Sequence, residues 1–334
     1  MTMDKRTFTK IAGALGLAAA LAPALALAAD PIKLRVSSAA ADTDWLSGGL
    51  RVFKEQLEKL APGKFAVEVY TGSSLFRQGT EVPALQRGNL EMSTMTTFEV
   101  EQQIPEFSVF SSGYLFRDYA HARKVFDSDI GKAYFAEVAR KMELQIIEPM
   151  YLGTRQVNLR DGRAVKTPAD LSGIKLRVPG GPGWVALGKG LGVTPTPMAV
   201  SEVYLALKTG AIDGQENPLP ITKANNFQEV TKTIVLTSHL VQPVFLTMAK
   251  KKWDQIDAAG QQAVRQAARQ AADYNDQGRI KEEAEIVDFF KSKGLTIQTP
   301  DLAAFRASVD KEYAQAGIAA KWPKGLKEKI EAVR

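Results

Sequence analysis

Gly173-Ile174-Lys175-Leu176-Arg177-Val178-Pro179 is the stretch from which the fold can be read, with Ser201-Glu202-Val203-Tyr204-Leu205-Ala206-Leu207 and Asp213-Gly214-Gln215-Glu216-Asn217-Pro218 following it. Ile174, Leu176 and Val178 alternate with Lys175 and Arg177, the period-two pattern of a strand, and Pro179 stops it. Ser201–Thr209 reads as a short helix capped by Ser201 and stopped at Gly210. Strand followed by helix is the unit of an α/β fold. Arg177 falls at the carboxyl end of its strand, where ligands bind in open α/β sheets. A planar guanidinium there can grip a carboxylate through two parallel hydrogen bonds, which lysine cannot imitate. Position alone also fits an arginine in an ordinary surface ion pair.

Upstream, Ile32–Val36 reads as a strand and Asp44–Leu60 as an amphipathic helix, with Leu46, Leu50, Phe53, Leu57 and Leu60 on one face. Phe65, Val67 and Val69 alternate as a strand, a helix covers 80–87, and another strand lies near 90–95. This β-α-β-α-β order predicts an α/β domain with a largely parallel sheet. Helices follow at 118–126 and 131–141, then strands at 144–150 and 154–159. Thr167-Pro168-Ala169-Asp170 has the residues of a helix start. A second α/β unit runs from about 154 to 240. From Lys251 to about Lys293 there is no proline, and Ile256, Val264, Ala268 and Ala271 recur at helical spacing. A helix of that length can reach from one domain to another.

The 334 residues are 45% apolar and 24% charged, ordinary for a folded protein of about two domains. A net charge of +6 without basic blocks gives no ground for nucleic-acid binding. Zero cysteines exclude disulfides and thiol chemistry, and two histidines without a metal-binding spacing predict no metal site. Lys5-Arg6, an apolar run and Ala26-Leu27-Ala28 have the layout of a signal peptide over residues 1–28. A membrane anchor is the other reading of that run. No later stretch is apolar for 18 residues, so the expected mature chain is periplasmic and does not span the membrane. No GxSxG, P-loop or GxGxxG motif is present, and Pro179-Gly180-Gly181-Pro182-Gly183 lacks the amide donors a phosphate loop needs. Nothing marks a pair of catalytic carboxylates.

The pieces Gly153-Thr154-Arg155-Gln156, Leu171 to Pro179, Thr194 to Leu207 and Asp213 to Pro218 resemble the solute-binding proteins of tripartite ATP-independent periplasmic (TRAP) transporters, the DctP-like family. The resemblance runs over essentially the whole mature chain. It implies a two-domain periplasmic binding protein fold with a hinged cleft and a long bridging helix, no catalysis and no cofactor. The implied division is 29–153 plus about 243–280 as domain I, and 154–242 plus about 281–334 as domain II. It further implies that Arg177 clamps a ligand carboxylate, that Arg155 and Asn217 assist, and that membrane permease subunits are the partner. Val200 stands where the family often has an aromatic residue, which predicts a wider pocket. Gln78 stands where an acid is common, and an amide can donate to and accept from hydroxyls. Trp184 could stack on a sugar ring, though a tryptophan more often packs in a core. Asp44, Trp45, Thr96, Phe98 and Phe245 are further candidates. A sugar acid is the favoured ligand. C4-dicarboxylates, sialic acid, 2-oxo and aromatic acids stay open, as does a receptor feeding a sensor kinase. A dicarboxylate needs a second cation, for which Arg77 is the candidate.

Overall fold

β1 (Ile32–Ser37) and β2 (Phe65–Tyr70) pair in parallel, and β3 (Met92–Thr96) joins the other edge of β1, also in parallel. The crossover helix Trp45–Leu60 is capped by Asp44, whose side chain accepts from the Leu46 N–H, and buries Leu46, Leu50, Phe53 and Leu57. This architecture is that of a computed structural model, which describes residues 30–334; the signal-peptide reading of residues 1–28 lies outside the described residues.

β4 (Leu144–Leu159) is one sixteen-residue strand where the sequence suggests two. Register shifts at Ile146/Glu148, Tyr151/Gly153 and Arg155/Val157 break its alternation, so a period-two reading loses it midway. Gly153 sits at the middle shift with φ +127°, and a Cβ there would lie 2.5 Å from the Cβ of Pro218. β5 (Lys175–Val178), β6 (Thr194–Pro197) and β7 (Gly214–Pro218) form a second parallel set. β8 (Thr233–Ala249) is almost wholly buried and so shows no alternation, which is why the sequence reading passes over it. β9 (Thr296–Gln298) pairs with β8.

The strands form a single sheet in the order β2-β1-β3-β8-β4-β7-β5-β6. β8 runs antiparallel to β3 and β4, and β4 antiparallel to β7, so the sheet is mixed: parallel within each half, antiparallel where the halves join. The two boundaries expected at 153/154 and 242/243 face each other there, since Gly153 pairs with Gln242. The 167–170 start is a 3₁₀ turn with a Thr167/Asp170 capping box. The helix expected at Ser201 begins instead at Val200, with Ala199 at its cap and Ser201 in its first turn.

The helix Ala258–Ser292 is 35 residues long, about 52 Å at 1.5 Å per residue. Its first half packs Val264, Ala267, Ala268 and Ala271 into the core beside β1 and the Trp45–Leu60 helix. Ile286 and Phe290 belong to a separate cluster with Leu219 and Ile234, so the helix ties both halves together. Among the described residues no helix is long and apolar enough to cross a membrane.

Trp45 lies directly on Gly278, where a Cβ would come within 2.3 Å of the indole. Gly278→Ala should therefore lower the melting temperature, the overpacking cost of about 1–3 kcal/mol outweighing a propensity gain of about 1 kcal/mol. Thermal denaturation followed by circular dichroism checks the sign.

Candidate ligand-binding site

A cavity of about 310 Å³ lies between the two parallel halves. Arg177, Arg155, Asn217, Gln78, Trp184 and Val200, far apart in sequence, all line it. Asp44, Arg77, Thr96 and Phe98 line it as well. Phe245 is instead part of the aromatic core around Phe126 and Tyr134, and Trp45 packs on Gly278 and donates its Nε1–H to Glu282.

Arg177 comes off β5 on the face opposite Leu176 and is 1% exposed. Its Nε–H donates to the Met198 carbonyl at 2.9 Å and Nη2 to Gln78 Oε1 at 3.3 Å. Among the described residues it has no carboxylate within ion-pair distance, unlike the other two buried arginines there, Arg155 and Arg279. Burial pulls its pKa down to about 9, with Glu216 opposing the shift and Arg155 adding to it, so the group is a cation at neutral pH.

Arg155 is also buried, but its charge is spoken for. It donates through Nε and Nη2 to both carboxylate oxygens of Glu216, through Nη1 to Gln242 Oε1 at 2.7 Å, and through Nη2 to Asn217 Oδ1 at 2.9 Å. Glu216 in turn accepts from His239 Nε2 at 3.0 Å, and His239 Nδ1 bonds the Thr237 hydroxyl at 2.8 Å. Burial lowers the imidazole's pKa against the pull of Glu216. Burial by itself would raise Glu216, but Arg155 and the His239 bond hold it below the usual carboxylate range. Sequence reasoning missed Glu216 and His239. The only available signal was that a buried arginine requires a buried acid, and Glu216 stands next to Asn217.

Asn217 is fixed by Arg155 on one side and donates to Gln215 Oε1 at 2.6 Å on the other. Trp184 stacks on Phe98 at 4.0 Å between ring centroids and carries the Arg155 guanidinium 4.7 Å from its own. The indole thus packs on Phe98 and serves as a platform for Arg155. Gln78 Oε1 also accepts from the Val200 N–H at 2.8 Å, tying its loop to the start of the Val200–Thr209 helix. Arg77 is bound by Glu202 at 2.7 Å, so it is not a free second cation.

A cavity between two α/β halves, walled by a buried guanidinium that lacks a counterion, defines a solute receptor of the binding-protein class. The chain belongs to the bacterial extracellular solute-binding proteins of family 7, the TRAP solute-binding proteins, and residues 36–319 match that family. A TRAP solute-binding protein from Roseobacter denitrificans with bound 3-deoxy-D-manno-oct-2-ulosonic acid is 39% identical, with a TM-score of 0.88 over 91% of this chain and 100% of that one. A second from R. denitrificans OCh 114, with bound L-galactonate, is 30% identical with a TM-score of 0.83 over 91% and 99%. The C4-dicarboxylate-binding periplasmic protein DctP of Rhodobacter capsulatus is 31% identical over 88% of this chain and 87% of its own length.

Burial raises Glu81 to about 7, against a bond from the Gly79 N–H. It also raises Glu101 to about 7, against a bond from the Gly183 N–H. For a carboxyl raised in the native state, the native state binds protons more tightly than the unfolded one. Stability therefore falls as pH rises from about 4.3 to about 7 and is flat above, by up to about 3 kcal/mol per group. Urea unfolding should show lower stability at pH 7.5 than at pH 5.5, and Glu101→Gln should shrink that difference while leaving the share due to Glu81.

Proposed function

We propose that this protein binds a polyhydroxylated monocarboxylic acid in the cavity, in the periplasm, and hands it unchanged to the permease subunits of a TRAP transporter. The observation that carries this reading is Arg177: a buried cation, open to a cavity, with no carboxylate of the protein beside it. A ligand carboxylate supplies the missing counterion through its two oxygens. Asn217 and the remaining Nη1–H of Arg155 complete the carboxylate site, Gln78 offers its amide N–H₂, and Val200 forms an apolar wall. Support for a sugar acid comes from the two R. denitrificans proteins, whose ligands are an octulosonic acid and a hexonate.

Domains 29–153 plus about 243–280 and 154–242 plus about 281–334 close over the ligand about a hinge where β4 and β8 cross between them. The closed form is the one the permease recognises. Contacts between the halves, Arg77 with Glu202 and the Glu101 carboxylate with the Gly183 N–H, hold the closed form.

Isothermal titration of ligand-stripped protein with 3-deoxy-D-manno-oct-2-ulosonate and L-galactonate tests the clamp. Arg177→Ala should weaken binding at least about thirtyfold, since removing one side of a buried charged pair costs about 2–5 kcal/mol. Arg177→Lys should also bind poorly because the fork is lost. Either variant within a factor of about three of wild type defeats the clamp assignment. Arg77→Ala probes the dicarboxylate reading. An exposed ion pair contributes about 0–1 kcal/mol, so sugar-acid affinity should change less than about fivefold, whereas a second carboxylate clamp would cost far more. Mass spectrometry of the acid after overnight incubation should show it unaltered.

A further inference from the structure

We infer that Asp44, held by the buried Arg279, is a specificity-determining residue of the cavity: it accepts a hydroxyl of the ligand and repels a second carboxylate. The site would then take aldonic and ulosonic acids and reject the matching dicarboxylates. This rests on the acid-receptor reading above and adds to it a residue and a rule of selection.

Asp44 is 4% exposed and lines the cavity. Its Oδ1 is used by the protein, accepting from the Leu46 N–H at 2.8 Å and from Arg279 Nη2. Its Oδ2 takes no hydrogen bond from the protein and is not among the buried, sealed atoms, so it opens to the cavity. Arg279, on the long helix, is fully buried, and Asp44 is its ion-pair partner. That pairing fixes the carboxylate's orientation and leaves its second oxygen as an acceptor.

Asp44 stands outside the hydrogen bonds of the carboxylate clamp. It bonds neither Arg155 nor Arg177, and the charges that bear on Arg177 are Glu216, Arg155 and Glu202. A ligand anchored by its carboxylate at Arg177 and long enough to reach Asp44 must present a donor there. A hydroxyl satisfies it. A second carboxylate meets like charge in a desolvated site, which is costly. No cation of the cavity region is left to offset it: Arg155 is held by Glu216 and Arg77 by Glu202, and the free Nε and Nη1 of Arg279 are sealed from the cavity.

The probes are two pairs that differ only in a terminal CH₂OH or carboxylate: D-galactonate with galactarate, and D-gluconate with glucarate. Isothermal titration of the wild type should favour the aldonate in a pair by at least about tenfold. Asp44→Asn keeps the helix cap but strands the Arg279 charge, so the charge-neutral Asp44→Asn/Arg279→Gln double variant is measured beside it, with melting curves for both. Whichever variant folds should lose at least about tenfold in aldonate affinity, and the aldonate-to-aldarate ratio should shrink about as much. A wild type that binds the aldarate as tightly as the aldonate overturns the inference. So does a folded variant whose ratio is unchanged, which would make Asp44 merely structural. If either happens while Arg177→Ala still abolishes aldonate binding, the receptor reading stands and only the role of Asp44 falls. A wild type that binds no sugar acid at all overturns both.

Discussion

The structure turns on an asymmetry between two buried arginines. Taking a guanidinium out of water costs several kcal/mol after relaxation, and the cost is recovered only when a carboxylate and further hydrogen bonds surround it. Arg155 has that environment in full: Glu216 on two donors, Gln242 and Asn217 on others, and the Trp184 face beneath it. Arg177 has a carbonyl and a weak contact to an amide. Arg177 is therefore a desolvated positive charge without a carboxylate partner among the described residues. Repulsion from Arg155 adds to the cost of that burial, and Glu216 offsets part of it.

Much else in the fold serves to hold that charge in place. β5 brings Arg177 in from one half, and the loop after β2 brings Gln78 from the other. β4 and β8 are shared by both, and the long helix packs its alanine face on one half and Ile286 and Phe290 on the other. Alanines at 267, 268, 271 and 272 let that helix approach the Trp45–Leu60 helix closely, with Gly49 and Gly278 admitting the remaining contacts. The cavity is consequently a property of the whole chain, and no single half contains it.

How much of this could be read from the sequence follows from which signals are local. The strand at 175–178, the Asp44-capped helix and the long helix are legible because each is set by periodicity and caps within its own residues. Their candidate arginines and Asn217 do converge on one cavity. β8 was not legible, since a strand covered on both faces has no alternation to detect, and three register shifts hid the unity of β4. The partners of the site residues were likewise out of reach. Glu216 and Arg155 are adjacent across β4 and β7 yet 61 residues apart in the chain. The stacking of Trp184 on Phe98 was equally out of reach, because Phe98 comes from the opposite half.

The amide at Gln78 is the finer point of the design. Its Oε1 is shared between the Val200 N–H at 2.8 Å and Arg177 at 3.3 Å, so its loop is tied both to the opposite half and to the buried guanidinium. A carboxylate in that place would neutralise Arg177 and compete with the ligand for it, since a charge-assisted bond is roughly twice as strong as a neutral one. An amide orients the guanidinium without discharging it.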